Sequence, residues 1–90
     1  MDKIGRLELT VKLFFEGKYS SIDTFAEVFT EIYCLDSNDG IDMNELHKFE
    51  RLFEITSRYG PSDVWLKGKR IYFNDDDVLK ELDNFTYLKP

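Results

Sequence analysis

The sequence predicts an all-α fold, a small antiparallel four-helix bundle with an extended or hairpin-like crossing before the last helix. Apolar residues recur every three or four positions in four separate segments, and short connections join these segments. No segment alternates apolar and polar residues as a half-buried strand does. Because a lone helix of this length is marginal in water, we expect the apolar stripes to pack against one another in a common core.

Length and composition predict a single domain over residues 1–90. The chain has 90 residues, of which 42% are hydrophobic and 16% aromatic. Chains usually divide into domains only beyond about 250 residues. The aromatic content supplies core material that disordered chains lack.

The first two helices are predicted from stripe spacing and end signals. The first covers residues 2 to 16, and Gly17 lies just past its end. The second begins at a capping box formed by Ser20 and Asp23, and its apolar stripe runs from Ile22 to Tyr33.

The last two helices follow turn-forming segments. Asp42 and Glu45 have the spacing of a capping box and open a third helix that closes at Gly60-Pro61. Asn74 caps a fourth helix that runs to about Phe85, and the acidic run at 75–77 favours the positive end of its dipole. Between them, residues 64–66 and 71–73 flank Lys-Gly-Lys-Arg, as in a hairpin or an extended crossing loop. The predicted core contains Phe14, Phe25, Phe29, Phe49, Phe53, Leu79, Leu82 and Phe85.

Charge and cysteine content narrow the class of protein. The formal net charge is −6, so free nucleic acid is not an expected partner. Charges interrupt the first fifteen residues, so we expect neither a signal peptide nor a membrane span, and a cytoplasmic location. Cys34 is the single cysteine and is expected to be a small buried apolar group.

Motifs for catalysis or metal binding are weak. An EF-hand aligned on Gly40 would need ligands where Leu35 and Leu46 stand, so we expect no calcium site. His47 is interpreted as a surface residue, and no nucleophile or phosphate-binding motif occurs, so we expect neither an enzyme nor a cofactor. The basic residues at 67–70 beside two aromatic residues only faintly suggest RNA stacking, which the acidic run at 75–77 would oppose.

The middle of the chain is acidic. Residues 21 to 66 carry ten acids and three bases, a sum of −7, whereas residues 1 to 20 sum to +1 and residues 67 to 90 to zero. Glu50 and Glu54 share one face of the third predicted helix, and we expect that face to meet a cation. An ordinary solvated acidic face is the alternative.

Three segments together resemble the colicin D immunity protein and its relatives. They are residues 13–18 (LFFEGK) leading into 21–25 (SIDTF), the turn after Phe53 that ends in Tyr59-Gly60-Pro61, and residues 71–79 (IYFNDDDVL). The resemblance covers nearly the whole chain. It implies a four-helix bundle that binds the nuclease domain of a tRNA-cleaving toxin and covers its catalytic surface. Related immunity proteins also accompany contact-dependent growth-inhibition toxins.

The expected function is therefore that of an immunity protein, a monomer that forms a 1:1 complex with its toxin. An acidic surface suits the basic active site of a nuclease. The alternative is a small helical adaptor that binds a basic protein segment and has no link to toxins. The predicted toxin-binding residues are Glu50, Glu54, Tyr59, Asp63, Trp65, Asp75 and Asp76.

Overall fold

The computed structural model describes residues 2–60, 65–66, 68–70 and 72–89, with the backbone alone for the paired residues 65–66 and 69–70. Its helices are α1 (Lys3–Phe15), α2 (Ile22–Leu35), α3 (Met43–His47), α4 (Glu50–Ser57) and α5 (Asp75–Leu82), followed by a 3₁₀ segment (Asp83–Leu88). Two short strands, β1 (Trp65–Leu66) and β2 (Lys69–Arg70), lie between α4 and α5. The all-α fold class is thus confirmed.

The helices pack side by side in an antiparallel bundle. The start of α1 lies against the end of α2, where Arg6 contacts Asp36, and Phe14 near the end of α1 lies 4.8 Å from Phe25 near the start of α2. α2 also packs on α4, α4 packs on α5, and the 3₁₀ segment returns to α1. Short connections join α1 to α2 and α2 to α3, whereas a longer crossing over residues 58–74 joins α4 to α5.

The core is built from one stripe of each helix. Stacked and tilted aromatic rings connect Phe25 to Phe29, Phe29 to Phe49 and Phe49 to Phe85 across it. The fully or nearly buried apolar residues are Leu7, Val11, Phe25, Ala26, Phe29, Ile32, Leu46, Phe49, Leu52, Ile55, Val78, Leu82 and Phe85.

Five of the eight predicted core residues are confirmed by this set. Phe14 and Phe53 are partly buried and pack against it. Leu79 was expected in the core but is 46% exposed. It lies one position after buried Val78, and each residue turns an α-helix by about 100°, so Leu79 points away from the contact with α4.

Helix ends agree closely with the local sequence signals. Asp2 caps α1 through the Gly5 amide, and Gly17 adopts φ 75° after its end. Asn74 caps α5 as predicted, and the structure adds a reciprocal capping box between Asn74 and Asp77. The cap of α2 is Ser21, not Ser20, because the Ser21 hydroxyl accepts the hydrogen bond from the Thr24 amide.

The third predicted helix is interrupted, which the sequence pattern did not indicate. The Phe49 amide donates to the carbonyl of Leu46, three residues back, and this tight turn separates α3 from α4. The turn places both Leu46 and Phe49 in the core, at 5% and 1% exposure. The fourth predicted helix likewise leaves α-geometry after Leu82, and the 3₁₀ segment buries Phe85.

The crossing before α5 contains a hairpin. Trp65 pairs with Arg70 and Leu66 with Lys69 in antiparallel register, and Gly68 adopts φ 78° in the turn. A left-handed backbone suits glycine because it has no Cβ.

Cys34 was expected to be buried but is exposed. It follows buried Ile32 by two positions on α2, which rotates its side chain about 200° away from the core stripe. The thiol therefore faces solvent.

Candidate functional site

A row of three carboxylates runs along the exposed side of α2. Asp23, Glu27 and Glu31 are spaced four residues apart and are all exposed. Side chains at this spacing lie on one face, with about 5–6 Å between their Cβ atoms. Within residues 2–60 and the other described ranges, none of the three has an ion-pair partner.

This row borders a groove of about 260 Å³ between α2 and α4. Ala26, Thr30 and Thr56 line it, and these small side chains leave a depression where larger ones would fill the space. The Thr30 hydroxyl donates to the Thr56 hydroxyl at 3.0 Å, and Thr56 donates to the carbonyl of Phe53 at 3.2 Å. Since both hydroxyls have hydrogen-bond partners, the polar groups on the floor of the groove are satisfied.

Tyr59 closes one end of the groove and connects it to α5. Its hydroxyl donates a short hydrogen bond to the carboxylate of Asp75. The backbone is joined at the same place, because the Gly60 amide donates to the carbonyl of Phe73 at 2.9 Å and the Phe73 amide to that of Arg58 at 2.8 Å. The end of α4 and the start of α5 are therefore held together.

The environment of Tyr59 is strongly negative. The hydrogen bond to Asp75, burial, and the charges of Asp75 and Asp23 together raise the pKa of Tyr59 to about 12. Asp23 lies on α2 and Asp75 on α5, so carboxylates from two helices act on one phenol. Asp75 and Asp76 are exposed and line a second depression beside Gly60. We call Asp23, Glu27, Glu31, Asp75 and Asp76 the acidic surface.

Glu50 and Glu54 lie on the exposed face of α4, but each has a partner. Glu50 accepts from His47 Nδ1 at 2.9 Å, and Glu54 pairs with Arg51 at 3.0 Å. Glu54 is therefore paired with a cation on its own helix, whereas the partner of Glu50 is a histidine that is charged only when protonated.

The row on α2 was missed at the sequence level. The sequence did contain the pattern that identifies this row. Asp23, Glu27 and Glu31 are four residues apart, and the same spacing had placed Glu50 and Glu54 on one helix face. Among the residues that were selected, Asp75 and Asp76 belong to the acidic surface and Tyr59 lies beside it. Asp63 and the side chain of Trp65 lie outside the described residues.

The acidic residues do not form a metal centre in the described part of the chain, where no group of three His, Cys, Asp or Glu side chains could hold an ion. Asp77 instead caps α5 together with Asn74. Among the described helices, none is long and apolar enough to span a bilayer.

Comparison of the chain with family models, curated proteins and solved structures found no match in any of the three. The fold and the site together define an antiparallel helical bundle with an acidic surface beside a groove.

Proposed function

We propose that this chain is an immunity protein, a stoichiometric and non-enzymatic inhibitor that binds a cognate toxic nuclease and covers its basic active site with the acidic surface. The tRNA-cleaving class of toxin is the proposed target. The observation that carries the proposal is the row of Asp23, Glu27 and Glu31, which has no ion-pair partner among the described residues and which Asp75 and Asp76 extend. The resemblance of the sequence to colicin D-type immunity proteins supports the same function.

The chemistry of a nuclease explains why such a surface would fit. A site that holds RNA needs Lys and Arg side chains to bind phosphate groups. The row on α2 presents negative charges at regular short intervals on a rigid helix, as a nucleic-acid strand presents phosphates. It can therefore occupy the same basic residues that the substrate needs.

Electrostatics would also make capture fast. The chain carries a net charge of −6, and oppositely charged surfaces steer each other into contact. Rapid capture matters for an inhibitor that must bind the toxin before RNA does. The hydrogen-bonded threonines on the groove floor add preorganisation, because little side-chain conformational freedom is lost there on binding.

The experiment pairs this protein with the nuclease domain of a toxin encoded by a neighbouring gene. We expect a 1:1 complex and loss of tRNA cleavage at equimolar inhibitor. Glu27→Lys should weaken inhibition, whereas Asp83→Lys, with the same charge change at the far end of α5, should not. A nuclease that stays fully active with excess inhibitor would refute the proposal, and binding to basic segments unrelated to toxins would favour an adaptor.

A further inference from the structure

A second, more apolar pocket lies at the end of α2, where α3 and the start of α4 meet it. Tyr33, Met43, Leu46, His47 and Glu50 line a cavity of about 170 Å³. Ligand pockets for whole small molecules usually measure about 300–1,000 Å³, so this one has room for a single side chain. Leu46 is buried at its base, and Met43 is 51% exposed at its mouth.

The aromatic wall of the pocket is held in place from both sides. The ring of Tyr33 stacks on Phe53 with centroids 4.1 Å apart, and the ammonium group of Lys3 lies 4.8 Å from the Tyr33 centroid. Lys3 is itself fixed by a 2.8 Å hydrogen bond to Asn38 Oδ1. Met43, in contrast, has an unbranched and adaptable side chain that can close over an occupant.

The pocket has one charged edge, which is Glu50. Burial and the charge of Glu50 raise the pKa of Tyr33, which agrees with a carboxylate close to the phenol. The only ion-pair partner of Glu50 among the described residues is His47, which is charged only when protonated. Both side chains are about two-thirds exposed, at 66% and 65%, so their pairing contributes little and a permanent cation can replace it.

We infer that this pocket binds one arginine side chain of the protein partner, with the aliphatic stem between Met43 and Leu46 and the guanidinium on Glu50. The inference rests on the proposed function for the basic character of that partner. A purely apolar occupant would remove part of the hydration of the Glu50 carboxylate and offer it no cation in return, which is costly. Arginine matches both parts of the pocket, because its stem is apolar and its planar head binds carboxylates in a fork.

The chain offers a direct probe, because Met1 and Met43 are its only methionines. Isotope labelling of their methyl groups gives two NMR signals, and the Met43 signal reports on the pocket that this residue lines. N-acetyl-arginine methylamide is titrated into the intact protein, and N-acetyl-citrulline methylamide, which has the same shape and no charge, is the control compound. The Met43 signal should shift saturably with the arginine compound and should not shift with the citrulline compound.

Matched variants assign the effect to Glu50. Glu50→Gln should weaken arginine binding about fivefold, as expected for loss of one exposed charge-assisted contact. Glu54→Gln removes a carboxylate one turn away and should leave binding unchanged, and circular dichroism should show both variants folded. Equal responses to arginine and citrulline, no Met43 shift, or unchanged binding in Glu50→Gln would overturn the inference. Because no toxin is present, these results are independent of the nuclease assay that tests the proposed function.

Discussion

The Tyr59 hydroxyl, just beyond the end of α4, donates a hydrogen bond to the carboxylate of Asp75, the first residue of α5. This contact lies at the base of the crossing that contains the hairpin, where backbone hydrogen bonds also join Gly60 to Phe73. It places an aromatic side chain in the middle of the acidic surface. Tyr59 therefore has a structural role, which the sequence prediction weighed equally with that of a toxin-binding anchor.

Tyr59→Phe should lower the free energy of unfolding by about 1 kcal/mol at neutral pH, since a partly exposed bond to a charged acceptor is lost. The contribution depends on pH with a definite sign. The folded-state pKa of about 12 lies above the unfolded value near 10, so the stabilisation is complete below pH about 10 and is lost as pH rises towards about 12. Urea unfolding of the wild-type protein and the variant should show that their difference in free energy of unfolding shrinks as the pH rises through this range. A constant difference would contradict this role for the hydrogen bond.

Phe49→Ala should destabilise the fold by about 3–5 kcal/mol, because the ring fills the centre of the core between Phe29 and Phe85. Leu79→Ala is the matched control on α5. Its side chain is 46% exposed, so a cost well below that of Phe49→Ala is expected. Chemical denaturation measures both. Similar losses for the two variants would mean that the core is wrongly placed.

Lys3→Met should cost about 1–2 kcal/mol, because it leaves Asn38 Oδ1 without its donor at a site where Lys3 is only 5% exposed. Lys12→Met, on the exposed side of α1, should change stability by less than about 0.5 kcal/mol. Thermal unfolding compares them. If both variants melt together, Lys3 does not tie α1 to the loop after α2. In assays of toxin binding, Lys12 is a more suitable basic control position than Lys3, because a change at buried Lys3 also affects stability.

Glu27→Lys should slow association with the cognate nuclease about tenfold at low salt, with a smaller effect on dissociation if the residue lies at the rim. Raising the salt concentration should reduce the difference from the wild-type protein, because exposed charges are screened. Stopped-flow or surface-based kinetics across salt concentrations provide the measurement, with Asp83→Lys as the charge-matched control. Salt-independent affinity would point to hydrophobic docking instead.

Cys34 should react with a thiol reagent in the native protein at a rate within about tenfold of the denatured protein, since its side chain is exposed. If the thiol reacts only after the protein unfolds, Cys34 is buried, as first expected from the sequence. No other thiol gives a competing signal, because the chain has a single cysteine.

For the candidate site, the sequence was informative wherever a short-range pattern carried the information. The acidic run at 75–77 was correctly placed at a helix start, and the spacing of Asp23, Glu27 and Glu31 could have been identified by the same rule. The partners of Glu50 and Glu54, which are His47 and Arg51, were not predicted, although each lies only three residues away. The approach of Asp23 to Tyr59 could not be predicted, because it depends on how α2 packs against α4.

The sequence by itself determined most of the helical segments, the cap at Asn74 and the all-α class, because these depend on interactions within a turn or two of the chain. Tertiary structure alone decided where α3 breaks from α4, since burying Leu46 and Phe49 together outweighs one continuous helix. It also decided that Leu79 and Cys34 face solvent and that carboxylates from α2 and α5 form one surface. Such outcomes depend on contacts between residues far apart in the chain, which local periodicity does not encode.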